Sequence, residues 1–133
     1  MPSILPWALM FAVSCAVVVP TSTALAEPQS VTIDGDLRIQ DGDTLEVGPL
    51  LLRLHGVDAP EKGQRCTSDN GGRWRCGAAA IAFLSELIAD KPLSCDALDR
   101  DPSVRIIACC RRGGAELGTA LVGSGLAWAF PRF

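Results

Sequence analysis

Apolar and polar residues alternate in short runs along the first half of the chain beyond residue 30. The runs cover residues 31–33, 37–39, 44–47 and 50–57, and Asp-Gly or Val-Gly-Pro turns stand between them. Alternation with a period of two, interrupted by tight turns, is typical of consecutive β-strands. We therefore expect this half to form a β-meander.

The pattern changes in the second half. Residues 61–75 are polar and contain three glycines, which predicts a surface loop without regular structure. Apolar residues then recur at helical spacing, which predicts an amphipathic helix over residues 77–90, ended by Lys91-Pro92. Residues 93–98 and 104–110 are predicted strands, and residues 116–123 a short helix. This order favours an α+β fold or a helix-capped barrel over a parallel α/β fold.

Residues 1–26 contain no charged side chain, and most of residues 4–19 are apolar. This segment predicts a secretory signal peptide, cleaved after Ala26 because Ala24 and Ala26 give the small-x-small pattern. The lack of a basic start departs from that pattern, so an N-terminal membrane anchor stays open as the alternative. About 17 apolar residues are marginal for a hydrocarbon core of about 30 Å. Residues 27–133 would then form one secreted or periplasmic domain.

The cysteines and the net charge restrict the functions that the protein can have. Five cysteines follow residue 26, a density that indicates disulfides in an exported domain and leaves one thiol over. Zinc is not predicted, because there is no Cys-x-x-Cys pair and the only histidine, His55, lies in an apolar run. The net charge of -3 has the wrong sign for a protein that binds nucleic acid through a broad basic surface. It leaves room for an enzyme whose carboxylates are neutralised by a divalent cation.

Asp-Gly-Asp occurs twice, at residues 34–36 and 41–43. Neither copy fits an EF-hand loop, because Arg38 and Leu45 stand where oxygen ligands should continue. The first copy is predicted to be a solvated turn. The second is followed by "RLHGVDAPE", which adds Arg53, Asp58 and Glu61 to the same short segment.

These charged residues would converge. Strand alternation puts Asp41 and Asp43 on one side if their stretch stays extended, and a hairpin would bring Asp58 and Glu61 back beside Asp43. Carboxylates this close repel each other unless a hard cation lies among them. Calcium suits such an oxygen-only set.

The run "DGDTLEV…LRLHGVDAPE", with "SVRIIACC" and "LVGSGLAWAF" further on, resembles the thermonuclease family, the staphylococcal-nuclease-like secreted nucleases, over about residues 37–130. The resemblance implies an OB-fold, a five-stranded barrel with helices packed on it. It also implies calcium-dependent hydrolysis of phosphodiester bonds in DNA or RNA with little sequence preference. Relatives usually continue into a further C-terminal helix, and because this sequence stops at Phe133 we expect that helix to be missing or short. We expect a monomer that does not associate stably with membranes after signal cleavage.

The resemblance also assigns metal ligands by position. Asp43 and Asp58 would bind calcium through their side chains, and Ala59 through its backbone carbonyl. Asp41 would be an outer-shell carboxylate.

The catalytic residues follow in the same way. Arg53 and Arg105 would hold the scissile phosphate, because planar guanidinium forks stabilise charge on phosphate oxygens. Glu61 would orient or deprotonate the attacking water. Relatives usually have Gly before the second arginine, whereas Val104 stands here. Because a β-branched residue resists positive φ, we expect Arg105 to be displaced.

The secreted members of the family imply the disulfide pairing. Cys66 would pair with Cys76 and close the loop after Glu61. Cys95 would pair with Cys110 across neighbouring strands, which leaves Cys109 on the opposite face.

Two other functions stay open from the sequence. A nuclease-like OB module could bind nucleic acid or another partner with weak or no catalysis; Val104 and the acidic charge favour it. A disulfide-stapled envelope protein with a structural role would show no metal dependence.

Overall fold

The computed structural model describes residues 30–89 and 92–131. The predicted signal peptide and the predicted helix end at Lys91 lie outside the described residues. None of the described helices is long and apolar enough to cross a membrane. In chain order the elements are β1 (Ser30–Ile33), β2 (Leu37–Asp41), β3 (Thr44–Val47), β4 (Leu50–Leu54), β5 (Val57–Asp58), β6 (Cys66–Thr67), β7 (Arg73–Trp74), α1 (Cys76–Ile88), β8 (Leu93–Arg100), β9 (Ile106–Arg112), β10 (Ala115–Glu116), α2 (Leu117–Gly123) and β11 (Trp128–Ala129).

The main sheet is mixed and curls into a half-barrel. Its strand order is β1-β8-β9-β4-β3-β2, with β10 also paired to β9. β1 and β2 lie at opposite ends of this order, yet only residues 34–36 connect them. A flat sheet would hold the two strands about 24 Å apart, whereas the connection reaches about 14 Å when extended. The sheet must therefore curl, and with its two helices it confirms the predicted α+β, OB-like fold.

The meander prediction is right for β2, β3 and β4, which pair consecutively. It is wrong for β1, which pairs antiparallel with β8 and places Val31 opposite Cys95. The first Asp-Gly-Asp is exposed, as predicted, but it is a corner that carries the chain across the sheet opening. Gly35 there has φ +131°, a backbone conformation that side chains disfavour.

A parallel pairing of β4 with β9 joins the two halves of the chain. Leu52 lies opposite Ile106, and Arg53 opposite Ile107. This register brings the end of β4 beside the start of β9. Arg105, directly before β9, thereby comes to the same end of the sheet as Arg53.

Helix α1 closes one face of the sheet. It covers Cys76–Ile88, within two residues of the predicted limits, and it buries Ala80 and Leu84 while Glu86 faces the solvent. Helix α2 is capped by the Glu116 side chain, which accepts hydrogen bonds from two backbone N–H groups. Apolar side chains from the sheet and from both helices form one core; its fully buried leucines are Leu45, Leu54, Leu84, Leu93, Leu117 and Leu121.

Both predicted disulfides are present, Cys66–Cys76 and Cys95–Cys110, and Cys109 remains a free thiol. The predicted loop at residues 61–75 is partly wrong, because β6 and β7 pair there as a two-stranded sheet. The disulfide holds the ends of that hairpin together, and loop closure of this length contributes about 3 kcal/mol in the chain-entropy account.

Candidate active site

Asp43 lies in the tight turn between β2 and β3. Gly42 packs so closely there that a Cβ atom would lie 2.8 Å from Ala59 Cβ and 2.9 Å from Ala80 Cβ. Glycine is therefore required at position 42, where the backbone next to Asp43 packs against Ala59. The second Asp-Gly-Asp forms the end of β2 and the tight turn after it, and does not stay extended throughout. Its Gly42 and Asp43 are buried and Asp41 is partly buried, whereas all three residues of the first copy are exposed.

The carboxylate of Asp43 is buried and fully engaged. Its Oδ1 accepts a hydrogen bond from the Thr44 hydroxyl at 3.0 Å. Its Oδ2 accepts one from the Ala59 backbone N–H at 3.1 Å and lies 3.2 Å from Nη1 of Arg53. A buried charge needs such partners, because burial without them costs several kcal/mol. Asp43 and Arg53 are thus fixed relative to each other.

Arg53 also reaches Asp58, at the end of β5. Its Nη2 lies 3.4 Å from Oδ1 of Asp58 and 3.5 Å from the Val57 carbonyl oxygen. Both distances exceed the usual 2.7–3.2 Å range of N–H···O bonds, so these contacts are weak. The Asp58 side chain is 58% exposed. The structure therefore brings Asp43, Asp58 and Arg53 together, with one carboxylate buried and the other open to solvent.

Glu61 is exposed at the edge of this group. The negative charge of Asp41 raises its pKa most, followed by burial and by Asp43, while Arg105 acts in the opposite direction. Asp41 is itself held by the backbone N–H of Lys62, which donates to its Oδ1 at 2.9 Å. Three carboxylates and a guanidinium thus act on one another across a small region.

Arg105 is held by Asp101, which the sequence did not single out. Nε of Arg105 donates to Asp101 Oδ2 at 2.6 Å, and its backbone N–H donates to Oδ1 at 2.9 Å. Burial would raise the pKa of Asp101, but the hydrogen bonds from Arg105 outweigh it and hold that pKa below its usual value. Among the described residues, the two Nη groups of Arg105 donate no hydrogen bond. In the sequence, the Asp-x-x-x-Arg spacing of "DPSVR" could have indicated that Asp101 pairs with Arg105.

Val104 does adopt the left-handed conformation that the sequence argued against. Its φ is +66°, and its side chain is 70% exposed. The surrounding turn enforces this conformation, since Val104 N–H donates to the Asp101 carbonyl at 2.9 Å. The charge of Arg105 acts on Glu61, whose pKa it lowers, and the expected displacement of Arg105 stays a prediction.

The candidate metal ligands are oxygen atoms, as a hard cation prefers. The negative charges of Asp41 and Asp43 both raise the pKa of Glu61, so these carboxylates repel one another. Within residues 30–89 and 92–131, however, no three His, Cys, Asp or Glu side chains are grouped as a metal site. A cation held by Asp43 and Asp58 would need backbone and water oxygens to complete its shell. The role of the Ala59 carbonyl remains a prediction.

Trp128 is a further site neighbour that sequence reasoning missed. In the short β5–β11 pair it lies directly opposite Asp58, and it is 62% exposed. Side chains opposite each other in an antiparallel pair lie about 5 Å apart, so an exposed indole stands beside the candidate ligand. Seventy positions separate the two residues along the chain, and no local pattern could connect them.

Comparison with known proteins gives two matches. Residues 51–132 match the family model described as staphylococcal nuclease homologue. The match includes Arg53, Asp58, Glu61 and Arg105, whereas Asp43 lies just before it. Succinoglycan biosynthesis protein ExoI of Rhizobium meliloti (strain 1021) is 36% identical over 119 residues, which cover 86% of this chain. The chain spans 59% of that protein's length.

Proposed function

Because this chain belongs to the staphylococcal nuclease homologue family, we propose that it is a secreted, calcium-dependent nuclease that hydrolyses phosphodiester bonds in DNA or RNA. The single observation that carries the proposal is the contact of Arg53 with both Asp43 and Asp58. It places a guanidinium beside two carboxylates of unequal burial. Glu61 and Arg105 lie close enough to influence each other electrostatically.

Arg53 and Arg105 would hold the phosphate. The weak contacts of Arg53 Nη2 can be exchanged for a phosphate oxygen at small cost. Arg105 is oriented through Nε by Asp101, so its Nη groups face no competing acceptor in the described part of the chain. Two guanidinium groups would stabilise the negative charge that spreads over the phosphate oxygens during in-line attack.

Glu61 would act as the base. Its raised pKa makes its carboxylate a better proton acceptor near neutral pH than an ordinary glutamate. Exposure leaves room for a water molecule and a substrate beside it.

Asp43 and Asp58 would hold the calcium ion, with Ala59 through its carbonyl and Asp41 outside the first shell. The ion would supply positive charge at the phosphate and lower the pKa of bound water. The same ion would relieve the repulsion among the carboxylates around Glu61.

Export is part of the proposal. Two disulfides in a domain of this size support an oxidising compartment. The N-terminal segment is the proposed signal peptide.

One observation favours a second function, a nuclease-like module that binds a polymer without cutting it. The relative ExoI is named for succinoglycan biosynthesis, not for nucleic-acid cleavage. Such a module would keep Arg53 in its ion pairs and bind no calcium.

The test is to incubate the disulfide-bonded protein with single-stranded DNA and with RNA, first with calcium and then with excess chelator. We expect cutting that the chelator abolishes. Glu61→Gln should lower turnover at least about 100-fold with little change in affinity. The matched control is Glu86→Gln, on the exposed face of α1, which should cut normally. Cutting that survives the chelator would reject the metal, and binding without cutting would favour the module.

A further inference from the structure

The segment Cys66–Cys76, which we name the disulfide-closed hairpin, is a rigid projection beside the candidate site. Cys66 lies opposite Trp74 and Thr67 opposite Arg73. At its tip, the Ser68 N–H donates to the Gly72 carbonyl at 2.8 Å, and the Cys66–Cys76 disulfide closes its base. A hydrogen bond at the tip and a disulfide at the base thus hold the hairpin in shape, and the buried Cys76 anchors its base.

The hairpin base is fixed against Glu61. A Cβ on Gly77 would lie 1.8 Å from the Glu61 carbonyl oxygen, so only glycine allows this approach. Gln64 bridges the same two segments, because its Oε1 accepts from the Glu61 N–H at 3.1 Å and its carbonyl from the Gly77 N–H at 3.3 Å. Two residues separate Trp74 from Gly77, so their Cα atoms lie at most about 11 Å apart. Trp74 therefore lies within reach of a polymer that extends from Glu61 along the hairpin.

Positive charge is concentrated in this region, although the whole chain carries a net charge of -3. Residues 61–76 contain four cations, Lys62, Arg65, Arg73 and Arg75, against two acidic residues. All four are exposed, and within the described residues none forms an ion pair. By contrast, Arg38, Arg53, Arg105 and Arg111 are each paired with an aspartate. The unpaired cations suit a polyanion.

Trp74 stands in the middle of this charge. It is 38% exposed, and it lies opposite Cys66 in the pairing of β6 with β7. Arginines directly precede and follow it in "RWR". An exposed indole with arginines at the neighbouring chain positions has the chemistry of a single-strand site, in which bases stack on aromatic rings while cations follow the phosphates.

We propose that the disulfide-closed hairpin is an arm that binds single-stranded nucleic acid, with Trp74 stacking on a base and Arg73 and Arg75 contacting the adjacent phosphates. This inference rests on the proposed function and adds to it a preference for unpaired strands. Bases in a duplex are stacked on each other and offer no face to Trp74.

The test measures binding by fluorescence anisotropy in the presence of a chelator, with a labelled single strand of about 12 nucleotides. A second strand of the same length carries abasic sites throughout, so that it keeps its phosphates and lacks its bases. Trp74→Ala should weaken binding of the normal strand at least about fivefold and leave the abasic strand unaffected. Trp74→Phe, which retains a ring, should bind the normal strand nearly as well as the unchanged protein.

Salt dependence isolates the phosphate contacts. Arg73→Ala should lower the slope of log affinity against log salt by about 0.7, the value for one phosphate contact on a single strand. Arg38→Ala is the control. Arg38 lies on β2, outside the hairpin, and is exposed like Arg73, but it forms an ion pair with Asp36. This variant should change neither the slope nor the affinity.

The outcomes separate the two proposals. If Trp74→Ala binds the normal strand like the unchanged protein, or weakens both strands equally, the arm is rejected whether or not the protein cuts. If the Trp74 pattern holds while calcium produces no cutting, the arm stands and the nuclease proposal fails.

Discussion

Nη1 of Arg53 lies 3.2 Å from Oδ2 of Asp43, and only 13% and 6% of the two side chains are exposed. The same arginine reaches Asp58 at 3.4 Å, but that side chain is mostly in solvent. Arg53 thus contacts two carboxylates: that of Asp43, which is buried and needed for the fold, and that of Asp58, which is exposed and not needed for it.

This difference predicts stability losses of unequal size for two candidate calcium ligands. Asp43→Ala removes the partner of a buried arginine and should lower the free energy of unfolding by about 3 kcal/mol. Asp58→Ala breaks an exposed pair and should cost less than about 1 kcal/mol. Both variants should lose calcium-dependent cutting. Urea unfolding and a nuclease assay on the same samples check this, and retained activity in Asp58→Ala would remove Asp58 from the metal site.

Glu61→Gln should slightly stabilise the protein at neutral pH without calcium. The folded-state pKa of Glu61 is raised above 4.5 by Asp41, by burial and by Asp43. The native state therefore binds its proton more tightly than the unfolded state, so stability falls as pH rises from 4.5 through the folded pKa. The gain in the variant should be about 0.5 kcal/mol, the scale of exposed charge interactions.

Thermal unfolding of the two proteins at pH 4 and pH 7 measures this effect. The melting temperatures should differ at pH 7 and converge at pH 4. Added calcium should raise the melting temperature by mass action, and more in the unchanged protein than in Asp58→Ala. A variant that is less stable at pH 7 would show that Glu61 is a structural residue.

Asp101→Asn should loosen Arg105 and lower turnover by about tenfold or more, because small misplacements of a charge-stabilising group are costly. The pKa of Asp101 is lowered in the folded state. Its contribution to stability is therefore present above 3.8 and lost as pH falls through the folded pKa. The stability difference between the two proteins should shrink below pH 3.8.

A matched control exists in β8. Asp96 also pairs with an arginine at 2.6 Å, and its pKa is lowered mainly by hydrogen bonds from Arg111 and Ser30. Asp96→Asn should show similar acid behaviour with normal turnover. If both variants cut equally well, Asp101 does not orient Arg105 for catalysis.

Val104→Gly should raise the free energy of unfolding by about 1 kcal/mol. A branched side chain at φ +66° carries backbone strain of about 1–3 kcal/mol, and glycine removes it at the cost of some unfolded-state entropy. Val104→Ala retains a Cβ and should gain much less. Cleavage of nucleic acid should be unchanged or faster, because the turn that precedes Arg105 keeps its conformation. Urea unfolding of the three proteins decides the matter; equal stability would show that the turn is not strained.

The local pattern predicted most elements within two residues, and it predicted α1 because apolar residues at helical spacing must face a core. It could not predict pairings between distant segments. The Asp34-Gly35-Asp36 corner looks like a hairpin turn because both use an exposed glycine, and only the position of β8 decides between them. Trp128 was missed for the same reason, since its neighbour Asp58 lies in another strand.

The site residues were easier to predict from the sequence than the residues that hold them in place. Asp43, Asp58, Arg53 and Glu61 lie within nineteen positions of one another, so a hairpin alone gathers them. Asp101 and the strained Val104 belong to a turn whose geometry depends on its own hydrogen bonds. The branched side chain of Val104 argued against positive φ, yet the hydrogen-bonded turn holds Val104 at φ +66°.

The parallel register of β4 with β9 also constrains when the candidate site is completed during synthesis of the chain. Leu52 can meet Ile106 only after the intervening hairpin, α1 and β8 have left the ribosome. Contacts of such sequence separation form slowly, since chain closure must be completed before they contribute. Arg53 and Arg105 consequently stay apart in nascent and partly folded chains, and the candidate site is completed by one of the last folding events.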